Sequence, residues 1–288
     1  MHLVRYTVDG KNWLLGALAG ERIVQLHEPD LLTLIEEGEG GLQRARELVA
    51  KARPADAPSG PGSAVRKGAV KLGAPLVNPP KLICIGLNYR EHARETNKPI
   101  PKAPVVFSKF ASAIAGPEDP IIIPPVTSKV DYEVELAVVI GRGGRNIPEG
   151  EALEHVFGYT IMNDVSARDL QTMDTQWLKG KTLDTFAPMG PAVVTRDEIP
   201  DPQALRLYMK RNGEIVQDAT TADMIFSVAY LIRYLSSLFT LQPGDVIATG
   251  TPEGVIMGQE NPRWLQDGEM LEAGIEGIGV LRNPVRAE

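Results

Sequence analysis

Val130-Asp131-Tyr132-Glu133-Val134-Glu135-Leu136-Ala137-Val138-Val139-Ile140, closed by Gly141, is the stretch on which the fold turns. It is apolar and β-branched up to a terminating glycine, which reads as a strand over 133–140. Side chains alternate along a strand, so Glu133 and Glu135 project to one side. Two carboxylates side by side among apolar residues repel each other and are costly to bury unpaired. A divalent cation resolves that conflict; a solvated face paired with Lys or Arg is the plainer alternative. Asp164 weighs against the plainer one. It ends a second apolar stretch, Val156-Phe157-Gly158-Tyr159-Thr160-Ile161-Met162-Asn163-Asp164, and acids that end or interrupt buried strands are not there for solubility. All-oxygen ligation by a few carboxylates suits Mg²⁺ or Mn²⁺ better than Zn²⁺.

Outward from this stretch, residues from about 80 onward form short strands punctuated by Gly and Pro, at 81–86, 104–108, 120–123, 133–140, 156–162, 191–194, 205–211 and 245–249. One long helix is expected over Ala222–Leu238 from its apolar spacing. The expected fold class is a mixed, β-rich α+β protein with a roll or sandwich core. Residues 1–75 read as a small N-terminal α+β module. It has strands near 4–8, 13–18 and 22–26, helices over 31–35 and 42–51, and a break between the helices at Gly38–Gly41. A Pro/Gly/Ser-rich stretch within 54–65 is the candidate linker or exposed loop, and 76–288 is the catalytic domain.

The 288 residues are 43% hydrophobic with a net charge of −7, which bounds the partners. No basic stripe offers itself to nucleic acid. No apolar run is long enough to span a membrane, and the first residues lack a signal-peptide pattern. Cys84, the single cysteine, sits in an apolar strand and reads as core. The expectation is a cytoplasmic protein.

Three further motifs carry chemistry. In Asn88-Tyr89-Arg90-Glu91-His92-Ala93-Arg94-Glu95, one helical turn makes His92 and Glu95 i, i+3 neighbours. A carboxylate beside an imidazole fixes its tautomer and raises its basicity, as a general base needs; a surface histidine on a charged helix is the plainer reading of the local sequence. The polar, Pro-rich segment Thr96–Ala103 that follows makes this element a candidate lid. Lys179 and Lys181 flank Gly180; either is exposed charge, or one steadies a developing oxyanion. Gly244-Asp245-Val246-Ile247-Ala248-Thr249-Gly250-Thr251-Pro252-Glu253-Gly254-Val255 is a strand entering a Gly-rich turn. The turn is either a plain β-turn or one whose N–H groups and Thr251 hydroxyl meet an anion.

In order, N-Y-x-x-H-x-x-E, F-S-K, D-Y-E-V-E-L, N-D-V-S-A-R-D, G-K-x-x-D-T-F and G-D-V-I-x-T-G-T-P-x-G-V resemble the fumarylacetoacetate hydrolase superfamily over about residues 80–285, and its type-2 domain-containing members most. The resemblance implies a distorted β-roll, often a homodimer, with Mg²⁺ or Mn²⁺ held by Glu133, Glu135 and Asp164. It further implies a His92–Glu95 catalytic dyad on a lid, Lys181 against the developing enolate, and substrate contacts from Gln171 and the Gly250–Thr251 turn. Fumarylacetoacetase itself carries another acidic ligand seven residues before its histidine. Ile85 stands there in this chain, which favours smaller substrates.

The expected activity is metal-dependent chemistry on a short 2-oxo acid through an enolate. The complete His92–Glu95 pair tips it toward hydrolysis of acylpyruvates and other 2,4-dioxo acids. Decarboxylation or keto–enol tautomerisation of oxaloacetate, or isomerase or decarboxylase chemistry of aromatic catabolism, is the alternative. A non-catalytic 2-oxo-acid-binding protein is the rival from another class.

Overall fold

A computed structural model describes residues 1–288. The strand Val134–Ile140 is buried along its whole length. It pairs antiparallel with Val156–Asn163 on one side and with Val246–Ala248 on the other. It is central to a large mixed sheet that reaches an edge at Val105–Ser108 and, at the other end, takes in the N-terminal strands. A second, five-stranded sheet covers one face, and no barrel closes.

Alternation assigns the two faces. Leu136, Val138 and Ile140 join Tyr159 and Ile161 in a core shared with Leu207, Met209, Leu271, Ile275 and Leu281 of the second sheet. Ala137 and Val139 face the other way. They pack with Cys84, Met162 and Val193 against Leu31, Leu34, Ile35 and Leu42 of the N-terminal helices. Glu135 has the parity of Ala137 and Val139, so the acids lie at the start of that second face.

The N-terminal strand His2–Thr7 pairs antiparallel with Ala187–Thr195, so residues of the first module continue the same sheet. The Pro/Gly/Ser stretch loops out inside that region, between the strands Arg53–Pro54 and Ser63–Arg66, which pair in parallel. Only Glu37 separates the helices Leu31–Glu36 and Gly38–Ala50; Gly38, at φ +61°, opens the second, and Gly40 and Gly41 lie inside it. At Gly41 the helices approach closely, since a Cβ there would sit 3.0 Å from Leu34 Cδ1. No helix is long and apolar enough to cross a membrane.

The expected long helix is shorter than its apolar spacing suggests. It runs Val228–Leu238 behind Ser227, whose hydroxyl accepts from Tyr230 N at 3.2 Å. Residues 222–227 lie outside it because tertiary pairing uses their backbone. Met224 bridges Tyr89, and Ile225 N donates to the Asn88 carbonyl at 2.7 Å. The strands Glu214–Thr220, Met270–Ile275 and Gly279–Ala287 have no counterpart in the sequence reading. Arg282 and Pro284 interrupt the last, and only part of each is buried, which blurs the alternation.

Asn88 ties this architecture to the site. Its amide nitrogen donates to the carbonyls of Phe226 at 3.0 Å and Thr249 at 2.7 Å, and its side-chain oxygen accepts from Phe226 N at 2.8 Å. Asn88→Ala leaves these buried backbone groups without partners at about 1–3 kcal/mol each, so unfolding free energy should fall by about 3 kcal/mol or more in denaturant titration. A loss below about 1 kcal/mol would mean that water replaces the amide at no cost.

Candidate active site

Strand pairing brings the three acids together. Val134 faces Asn163 across the ladder, and Asp164 N donates to the Glu133 carbonyl at 2.9 Å while the Asn163 side chain accepts from Glu133 N at 2.9 Å. Asp164 is thereby set beside Glu133, with Glu135 two residues along. Carboxylate oxygens of Glu133, Glu135 and Asp164 lie within 4.8 Å of one another, and all three residues are buried.

Counter-charges come from Lys181 and from two residues to which the sequence motifs assign no role, Arg168 and Lys109. Arg168 donates from Nε to Asp131 at 2.8 Å, from Nη2 to Glu133 at 2.6 Å and from Nη1 to Gln171 Oε1 at 2.9 Å. Lys181 Nζ donates to Glu133 and to Asp164, each at 2.8 Å. Lys109 pairs with Asp164 and also donates to the Val165 carbonyl. Burial alone would raise the Glu133 carboxyl, but the Lys181 ammonium and the Arg168 guanidinium outweigh it and hold the pKa at about 2. Burial pulls Lys181 down and the Asp164 and Glu133 carboxylates overcome it, so its pKa is raised. At Lys109 burial wins and the pKa is lowered despite Asp164.

Glu135 is the exception in the cluster. Its protein donor is the Gly250 N–H at 2.8 Å, and it forms no ion pair. Burial, then repulsion from Asp164 and Glu133, pushes its carboxyl well above the usual range. Three clustered carboxylates, one of them lacking a cationic partner, are a donor set that fits a hard divalent cation.

His92 and Glu95 meet as the helical turn predicts. The helix Arg90–Glu95 places His92 Nδ1 2.8 Å from Glu95 Oε1, and Glu95 Oε2 accepts from Gly254 N at 2.9 Å. His92 is buried, so this is not a surface histidine, and Thr96, Asn97 and Lys98 of the candidate lid border the site. A cavity of about 560 Å³ is lined by His92, Glu95, Glu133, Glu135, Gln171 and Lys181, with Phe107, Trp177 and Thr251 on its walls. Asp164 lies behind the lining, covered by the two lysines.

The Gly250–Thr251 turn lies beside the acids, with the Gly250 N–H and the Thr251 hydroxyl already engaged. Gly250 N–H serves Glu135, and the Thr251 hydroxyl donates to the Val134 carbonyl at 2.9 Å and accepts from Gln217 Nε2 at 3.0 Å. Gly250 has φ +98°, and a Cβ there would meet Asn88 Cβ at 2.7 Å. Gln171 keeps its amide nitrogen free of protein partners at the cavity wall. Cys84 is fully buried, as a core residue.

Known proteins bear on this geometry. A family model described as fumarylacetoacetate hydrolase C-terminal matches residues 81–286. The mitochondrial oxaloacetate tautomerase FAHD2A of Bos taurus is 44% identical over 88% of this chain and 79% of its own length. The human mitochondrial oxaloacetate tautomerase FAHD2B is 46% identical over 87% of this chain and 78% of its own. A fumarylacetoacetate hydrolase from Exiguobacterium antarcticum superposes with a TM-score of 0.84 at 38% identity, each chain covered in full. Maleylpyruvate hydrolase from Sphingobium sp. SYK-6, in complex with manganese(II) and pyruvate, superposes with a TM-score of 0.81 at 29% identity, over 100% of this chain and 99% of that one. The tautomerases named here are mitochondrial, which overturns the cytoplasmic expectation. That expectation rested on composition and a missing leader pattern, and neither encodes an address.

Glu135→Gln should separate the two consequences of its lone charge. In EDTA the melting temperature should rise by a few degrees, because the cost of burying this carboxyl, either as a charge or with a proton taken up on folding, is removed while volume is kept. The stabilisation that saturating Mg²⁺ or Mn²⁺ gives the wild type, about 2.7 kcal/mol at a hundred times Kd, should disappear. Equal stabilisation of both proteins by metal would remove Glu135 from the ligand set.

Proposed function

The chain belongs to the fumarylacetoacetate hydrolase family, and from that premise we propose that it is an oxaloacetate tautomerase, interconverting the keto and enol forms of a short 2-oxo acid. The observation that carries this reading is one cavity lined both by a histidine–carboxylate pair and by a carboxylate cluster with a buried lysine. Tautomerisation needs a base for the C3 proton and positive charge for the 2-oxo oxygen. The identities of 44% and 46% to proteins named oxaloacetate tautomerases support that choice over hydrolysis.

Glu133, Glu135 and Asp164 would hold the divalent cation, Mg²⁺ or Mn²⁺. When bound it supplies Lewis-acid neutralisation of the charge that grows on the 2-oxo oxygen. The protein's own groups do the rest. With His92 Nδ1 donating to Glu95, Nε2 carries the lone pair and takes the proton from C3. Glu95 steadies the imidazolium so formed. Lys181, already charged and held by two carboxylates, offers an N–H to the same 2-oxo oxygen. The imidazolium then gives its proton to the 2-oxo oxygen to form the enol; in the reverse direction Nε2 takes the enol O–H proton and the imidazolium delivers it to C3, forming the keto acid. Phe107 and Trp177, packed edge to face, supply apolar wall beside these groups.

Hydrolysis of an acylpyruvate is the second reading. The manganese- and pyruvate-bound maleylpyruvate hydrolase of the same fold favours it. It uses the same groups but requires, in addition, a water directed at the C4 carbonyl.

The test is the rate of oxaloacetate enol-to-keto conversion above buffer, followed by enol absorbance with Mg²⁺ or Mn²⁺, with acetylpyruvate cleavage assayed in parallel. The wild type should accelerate conversion, and His92→Ala should lower the enzymatic rate by about 10²–10⁴-fold. Cleavage of acetylpyruvate with oxaloacetate conversion left at the buffer rate would replace this reading by the second.

A further inference from the structure

The Glu95 carboxylate is held by more than its histidine. Its Oε2 accepts from Gly254 N, and the segment that supplies this N–H ends at Gly258 directly over the carboxylate. A Cβ on Gly258 would lie 2.7 Å from both Glu95 Cδ and Oε2, and 3.0 Å from Cγ. Gly258 has no left-handed backbone to account for a glycine, unlike Gly254 at φ +99°. What the bare Cα provides at 258 is room for the Glu95 carboxylate.

The segment is itself anchored. Ile256 N and Met257 N donate to the Asp131 carboxylate at 2.8 and 3.0 Å, and Tyr132 Oη donates to the Gly254 carbonyl at 3.1 Å. Asp131 is paired with Arg168, and Arg168 with Glu133. A continuous chain of hydrogen bonds therefore runs from the acid cluster to the segment that receives the lid.

We propose that Gly254–Gly258 is a receiving latch for Glu95, with Gly258 a positioning residue whose missing side chain sets where the carboxylate, and through it the His92 ring, comes to rest. This rests on the reading of His92 as the base. Gly258 touches no reacting atom; it acts through Glu95. A methyl group at 258 pushes the carboxylate away from Gly254 N and turns the imidazole that it orients. Shortening Glu95 by one methylene withdraws the carboxylate from that methyl group.

The test pairs Gly258→Ala with Glu95→Asp, singly and together, in the metal-loaded protein. In the wild-type background Gly258→Ala should lower kcat for oxaloacetate tautomerisation by about 10–100-fold, with KM changed less than threefold, since a base misplaced by about an ångström loses on this scale. In the Glu95→Asp background the same substitution should cost less than threefold, a non-additivity that a general folding defect does not produce. A cost of the same size in both backgrounds, or none in either, overturns the proposal. A second measurement needs no substrate. By hydrogen exchange the Gly254 amide should be slow in the wild type and at least tenfold faster in Glu95→Ala, with the Val134–Ile140 amides unchanged. Equal Gly254 exchange in the two proteins overturns the latch even if Gly258→Ala does not fold. Loss of tautomerase activity from the wild type itself, with the exchange difference intact, would count against the function and leave the latch standing.

Discussion

Arg168 is the interaction on which the site depends. One guanidinium, 4% exposed, bonds Asp131, Glu133 and Gln171 together. It stays charged against the cost of burial because two carboxylates face it, and its pKa is raised rather than lowered. Such a pair is weak as a source of net stability but severe when broken, since one partner removed strands the other's charge in an apolar medium, at about 3–5 kcal/mol. Here that severity serves geometry. The Asp131–Glu133 strand entry, the turn of helix Arg168–Gln171 and the segment reaching Met257 cannot drift apart without exposing an unpaired charge.

Gln217 does for the two sheets what Arg168 does for the acids. Its side-chain oxygen accepts from Val134 N at 3.1 Å, and its nitrogen donates to Thr251 Oγ1 and to the Pro252 carbonyl at 2.9 Å. A residue of the second sheet thus closes the ladder of the first where the strand enters the site, and it satisfies the turn that carries Gly250. The backbone groups at this point have no strand partner of their own, and buried amides do not go unpaired.

The sequence was most informative where local chemistry conflicts with local pattern. Glu133, Glu135 and Asp164 stand out because charge interrupts apolar strands, and His92 with Glu95 because one helical turn is a short distance. The β-rich class followed from the same strands. Lys109, Asp131 and Arg168 lie in quoted motifs, yet no periodicity links Asp131 to Arg168 or Lys109 to Asp164; those pairings exist only once the strands are in register. The helix expected from Ala222 was overread for the opposite reason, since residues 222–227 have helical spacing but their backbone is taken by Asn88 and Tyr89. Gly258 gave no signal, because a glycine in a polar loop looks the same whether it turns the chain or makes room.

Lys109, Lys181 and Arg168 mean that the cluster carries its own resident counterions. Only Glu135 among the acids lacks one. Mutual repulsion is therefore largely relieved within the polypeptide, and folding does not have to wait for an ion to arrive. A protein of this kind can be made, delivered and stored unloaded. A divalent ion held by Glu133, Glu135 and Asp164 would then enter a site already built, with assembly finished before it arrives.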